Sequence, residues 1–263
     1  VKPPRATAVL LASLLAARAA AEGAGDDQPT FQLRPEIDLP VLGVSLVFAS
    51  ARLFQTDKAF CAPLCNPDDV NALDRTTAGT WNTGWQTASD VGVYVVTAGA
   101  AALLVADEGL GPAANDVVVI AESALGAMAL GNVMTLAVAR PRPFLYGTEA
   151  PLAERNSTNA SFSFVSSHTS FTAATAISTY MTLHRRHPGA TWPNVVLGVG
   201  LAATAFVGSA RVLGGAHFIS DAVAGAIVGV SVGVLVPSLH AAPVSVVPLI
   251  TPTEKGIGVQ GRL

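Results

Sequence analysis

The chain has 263 residues, of which 51% are hydrophobic and 13% charged, and its mean hydropathy is +0.49. It is therefore more apolar than an ordinary soluble domain, and a membrane is its natural solvent. A formal net charge of -3 and the absence of a basic stripe interleaved with aromatics set nucleic-acid binding aside.

In chain order, Lys2 and Arg5 precede an apolar stretch over 6–17 and an Ala19-x-Ala21 cleavage pattern, so 1–21 reads as a signal peptide, with an uncleaved anchor as the alternative. Residues 22–84 form a lead-in: a stretch rich in Gly, Pro and charge, a first apolar run over 39–53, and a polar loop holding the only two cysteines, Cys61 and Cys65. An even pair so closely spaced in an exported loop predicts a small local disulfide, two free thiols being the alternative. Trp81 and Trp85 follow, as expected of an interfacial belt, with a grip on an acyl or isoprenoid chain as the alternative.

Further apolar runs cover 91–106, 117–139, 169–183, 195–209 and 218–236, long for strands and rich in Ala, Leu, Val and Gly, which predicts helices. Several are short against the roughly 20 residues of a membrane crossing, so a soluble bundle stays open. Asp107, Glu108, Asp116 and Glu122 read as caps and solvated charges, and the two Asn-x-Ser/Thr triplets at Asn156 and Asn159 as polar loop. The basic cluster His184-Arg185-Arg186-His187 predicts a cytoplasmic connection between the fourth and fifth runs. His240 reads as a surface residue, and the tail over 244–263 as a short extended hairpin.

Three segments carry chemistry. Arg140-Pro141-Arg142-Pro143 closes the third run, Val165-Ser166-Ser167-His168 opens the fourth, and Ala210-Arg211 leads to His217 and Asp221. In the last, a helix starting near His217 would put Asp221 on the same face one turn on, where a carboxylate can orient the imidazole as a nucleophile. Arg211 offers a cationic fork for phosphate oxygens.

In that order the segments resemble the type 2 phosphatidic acid phosphatase superfamily, which includes membrane lipid phosphatases, class A acid phosphatases and vanadium haloperoxidases. Its pattern is K-x6-RP, PSGH, then SR-x5-H-x3-D, matched here over about residues 85–237. The resemblance implies His217 as the nucleophile that forms a phosphohistidine, Asp221 as its orienting group and His168 as the acid for the leaving oxygen. It implies that Arg142, Arg211, Ser166 and the amide of Ser167 hold the phosphate, without metal or cofactor. Four positions depart from the pattern: Thr135 stands for the lysine, Val165 for the proline, Ser167 for the glycine and Ala210 for the serine. A missing cationic donor costs such a site about 3 kcal/mol, and Arg140 is the nearby candidate to replace it.

The expectation is an all-α, membrane-embedded bundle of about six apolar helices, acid phosphatase/vanadium haloperoxidase-like, with the phosphatase domain over 85–237 and a tail over 238–263. It would hydrolyse a lipid phosphomonoester or pyrophosphate on the periplasmic side of the inner membrane. Phosphatidic acid, phosphatidylglycerol phosphate, isoprenyl pyrophosphate and lipid A phosphates are the candidate substrates. A soluble periplasmic acid phosphatase, a weakened lipid-phosphate-binding protein and a haloperoxidase are the alternatives. A cleaved signal with six crossings would put the motifs in the cytoplasm, a conflict removed if the run over 39–53 lies at the interface or if the N-terminal segment stays as an anchor. Sequence does not give the oligomeric state.

Overall fold

The computed structural model describes residues 30–241, 244–250 and 255–261, so the expected signal peptide lies outside the described residues. Each of the six runs corresponds to a helix: α1 (Pro35–Ser50), α2 (Thr83–Glu108), α3 (Leu110–Val138), α4 (Ser167–Arg186), α5 (Trp192–Leu213) and α6 (Ile219–Ala241). The helices outrun the apolar stretches because polar residues start them. The Asn82 side chain accepts from the Trp85 amide at 3.1 Å, and Gly109, at φ +80°, breaks the chain between α2 and α3.

Among the described residues, five segments are long and apolar enough to cross a membrane: Pro35–Phe54, Thr83–Glu108, Leu110–Tyr146, Trp192–Leu213 and Ile219–Ala241. Their outer faces expose Leu39, Val44, Tyr94, Val95, Val195, Val199, Val223 and Ile227, a burden that hydrocarbon accepts and water does not.

The exception, α4, packs against α2, α3, α5 and α6. It is rich in Ser and Thr yet mostly buried, because its hydroxyls donate to carbonyls one turn back: Thr172 to His168, Thr175 to Phe171, Ser178 to Ala174 and Thr182 to Ser178. Its backbone lies close to α6, where a Cβ at Gly225 would sit 2.5 Å from the Ser166 carbonyl and one at Gly233 2.9 Å from that of Ala174. Small residues at four-residue spacing let the two helices approach in this way.

Several expectations need correction. α1 runs along α3, with Asp38 meeting His240 at one end and Arg52, in the turn that follows, meeting Thr135 at the other. His240 is no surface residue; its Nε2 lies 3.2 Å from Glu122 and 3.3 Å from Asp38. The acidic residues taken as solvated are buried: Asp107 meets Arg186 and His187, Glu108 meets Arg186, and Asp116 accepts from the Thr30 and Phe31 amides. Buried carboxylates persist only where partners compensate their desolvation, and those partners come from elements far away in sequence.

α3 and α5 end, and α2, α4 and α6 begin, at one end of the bundle, where 55–80 and 140–166 fold over the helices. Cys65, Phe144, Leu145 and Ala160 share a small core there, Trp81 packs edge-on against Phe144 at 5.2 Å, and Cys61 is disulfide-bonded to Cys65. Trp81 thus packs partly buried against this core. The tail forms the expected hairpin, β1 (Val244–Ile250) antiparallel to β2 (Lys255–Gly261), with Ile250 opposite Lys255.

Candidate active site

α3 terminates at Ala139, whose φ of 47° turns the chain out of the helix, and the proline-flanked Arg142 then continues in extended backbone. Arg142 is buried. Its Nε donates to the Asn159 carbonyl at 2.8 Å and its Nη2 to the Asn159 side chain at 2.9 Å. Arg211, in the last turn of α5, reaches Ser89 at 3.3 Å and Asp90 at 3.4 Å. His168, in the first turn of α4, lies 2.9 Å from Asp90 through Nε2. Arg142, Arg211, His168 and Asp90 line one cavity of about 630 Å³, together with Arg52, Trp81, Gln86, Tyr94 and Asn159.

His217 stands in the short link between α5 and α6, fully buried and outside the cavity wall. Its Nδ1 lies 2.6 Å from the backbone carbonyl of Ser163. A carbonyl can only accept, so Nδ1 carries the proton and Nε2 keeps its lone pair. Burial, with Arg142, Arg211 and Arg52 nearby, holds the imidazole well below its ordinary pKa and keeps it neutral. The same causes, burial first and then Arg211, Arg142 and Arg52, push His168 down to about 3.

The expected direct contact between Asp221 and His217 is not made. α6 begins only at Ile219, and the Asp221 carboxylate caps it by accepting from the Phe218 amide at 2.8 Å. It also accepts from the Ser163 hydroxyl. Asp221 thus anchors the residue whose carbonyl holds His217, one step removed from the ring.

Arg140 is not the missing cation. Its guanidinium bridges Asp221 at 2.6 Å and Asp74 at 2.8 Å and lies over the Phe218 ring at 4.3 Å, so its charge is already neutralised. Asp74 also accepts from the Ser220 amide and hydroxyl and from Asn71. Burial would raise its pKa, but the hydrogen bonds from Ser220, Arg140 and Asn71 hold it below the ordinary value.

Ser166 caps α4, its hydroxyl accepting from the Thr169 amide at 3.4 Å and hydroxyl at 2.9 Å, and the Ser167 hydroxyl donates to Asn132 at 2.9 Å. Neither side chain lines the cavity. What they offer a phosphate is the start of α4, whose first amides lack intrahelical acceptors. Thr135 donates to the Gly131 carbonyl and accepts from Arg52 Nη2, both at 2.8 Å.

Sequence reading missed Arg52, Asp74, Asp90, Asn159 and Ser163. Asp74 and Arg52 lie in the segment read as lead-in, and Asn159 was hidden in a polar loop. Only Asp90 gave a signal, as a lone carboxylate at the head of an apolar run.

Residues 116–244 match the PAP2 superfamily. Among solved structures, the chain is similar to a transmembrane PAP2-type phosphatidylglycerolphosphate phosphatase from Bacillus subtilis, with 18% identity, a TM-score of 0.42, and coverage of 89% of this chain and 94% of that one. No curated protein matches the chain.

Proposed function

We propose, for a chain whose residues 116–244 belong to the PAP2 superfamily, that it is a membrane phosphatase that hydrolyses lipid phosphate esters through a phosphohistidine. The observation that carries this reading is His217, its Nδ1–H bound to the Ser163 carbonyl and its Nε2 lone pair free among buried arginines. The phosphate seats against Arg142, Arg211 and the first amides of α4, where fixed cations and N–H dipoles stabilise charge on the equatorial oxygens. His217 Nε2 forms the N–P bond as the P–O bond to the lipid breaks, and His168 delivers a proton to the departing oxygen. Water then attacks phosphorus, His168 takes its proton, the N–P bond breaks and inorganic phosphate leaves. The carbonyl of Ser163 stabilises the imidazolium during the intermediate.

His168 begins neutral, so its proton has a source. A phosphate monoester has its second pKa near 6, and the monoanion carries one proton into the cavity. The anion also offsets the arginines that depress His168, which lets the ring hold that proton until the leaving oxygen needs it. Nucleophile, acid and cationic donors are all side chains of this chain, so the reaction proceeds without a metal.

The periplasmic side is favoured by the Cys61–Cys65 disulfide, which lies at the same end of the bundle as the site. The test is release of phosphate from dioleoyl phosphatidic acid by the detergent-solubilised protein, with and without EDTA. Turnover should survive EDTA, vanish in His217→Ala, and leave a labelled phosphoenzyme in rapid-quenched His168→Ala with a good leaving group. Full turnover by His217→Ala would remove the nucleophile assignment.

A further inference from the structure

A third guanidinium reaches the cavity from outside the matched segment. After α1, a single 3-10 turn, Ala51–Phe54, brings Arg52 over the end of α3. Its Nη2 donates to the hydroxyls of Thr135 and Ser167, both at 2.8 Å, and its carbon lies 5.7 Å from the Phe162 ring. Both oxygens are neutral. Among the described residues no carboxylate forms an ion pair with Arg52, and its buried Nε has no acceptor. Arg211 has an equally orphaned Nε in the wall of the same cavity. Buried N–H donors without acceptors, on cations that share one cavity with Arg142, mark a place for an anion. Thr135 and Ser167 hold the fork through Nη2, and the Arg52 side chain forms part of the cavity wall.

We propose that Arg52 is a phosphate-binding residue of the site, supplying from the turn after α1 the positive charge that Thr135 does not supply from α3. The inference rests on the phosphoryl-transfer reading above and adds that the site is incomplete without α1. Arg52 holds an equatorial oxygen through Nε–H and an Nη–H, and its hold tightens as negative charge develops there. It breaks no bond and moves no proton.

Arg52→Met should lower kcat/KM about 100-fold or more, the loss expected for one transition-state donor, and weaken competitive inhibition by vanadate to a similar degree. Its unfolding midpoint should hold or rise, because an unpaired buried cation is removed. A purely structural Arg52 would instead lose stability and leave vanadate inhibition unchanged. Adding Thr135→Lys to Arg52→Met should recover at least tenfold of the lost activity, since the lysine can occupy the vacated place. Thr135→Lys alone should not raise activity, because a second cation meets Arg52 already there. Arg52→Lys keeps the charge and most of the packing, and should fall between the wild type and Arg52→Met. If Arg52→Met keeps kcat/KM and vanadate inhibition within threefold, the inference is overturned while the phosphatase reading stands. If the wild type turns over no phosphate ester, that reading falls, and calorimetric binding of inorganic phosphate to wild type and Arg52→Met still decides the role of Arg52.

Discussion

His217, His168 and Asp74 couple the site to pH. Both histidines have folded pKa values depressed below 6.5, so above that value they are neutral in either state and add nothing to stability. As pH falls from about 6.5 towards 3, the unfolded chain takes up protons that the folded one refuses, and stability drops. Asp74 acts in the same direction at lower pH, since its depressed pKa stabilises the fold above 3.8 and the gain is lost as it protonates. Thermal midpoints in detergent should therefore decline steadily below about pH 6.5, and a flat profile would contradict the burial of His217 and the depressed pKa of His168. Catalysis carries a separate signature. Because the proton enters with the ester monoanion, kcat/KM should fall as pH rises above about 6, as a rate profile on a short-chain phosphatidic acid would read. Arg140 gives a third expectation at this scale. Arg140→Gln leaves Asp74 and Asp221 buried with their ion pairs broken, which should cost about 3–5 kcal/mol, whereas the exposed Arg185→Gln should cost little in the same unfolding measurement.

At the scale of elements, the contact between α4 and α6 holds the site's two histidines in register, since one helix begins at Ser167 and the other at Ile219. Its tightness depends on Gly225, Gly229 and Gly233. Gly225→Val would push a side chain into the Ser166 carbonyl at the mouth of α4, so it should lower both the unfolding midpoint and activity. Gly99→Ala in α2 meets nothing within 4 Å and should be neutral or stabilising, by up to about 1 kcal/mol. The helices themselves were legible in the sequence, because each apolar run corresponds to one. The central place of α4 was not. Ser178 and Thr182 look like polar interruptions until their hydroxyls are seen to bond to the helix's own carbonyls.

For the whole molecule, sidedness follows from the opposite placement of the site and the α4–α5 connection. If the disulfide end is periplasmic, Pro35 and Gly189 both lie on the cytoplasmic side. In intact cells, with Cys61 and Cys65 replaced, an impermeant maleimide should label Ala153→Cys and spare Gly189→Cys, both positions being exposed. The reverse pattern would put the phosphatase site in the cytoplasm. The basic cluster is a weaker guide than it looks, since Arg186 and His187 are bound to Asp107 and Glu108.

The sequence by itself determined the helical class and the chemical groups at the ends of the runs, and it put the two cysteines close enough for the short disulfide. Periodicity, cysteine spacing and the intervals among Arg142, His168, Arg211, His217 and Asp221 are local properties, and local properties survive in one dimension. Only the tertiary structure decided which cation faces the cavity. Arg140, two residues from Arg142, is bound by two carboxylates behind the site, while Arg52, 83 residues from Thr135, stands beside it. Buried charge is governed by its neighbours in space, and the chain joins those neighbours only when the helices pack.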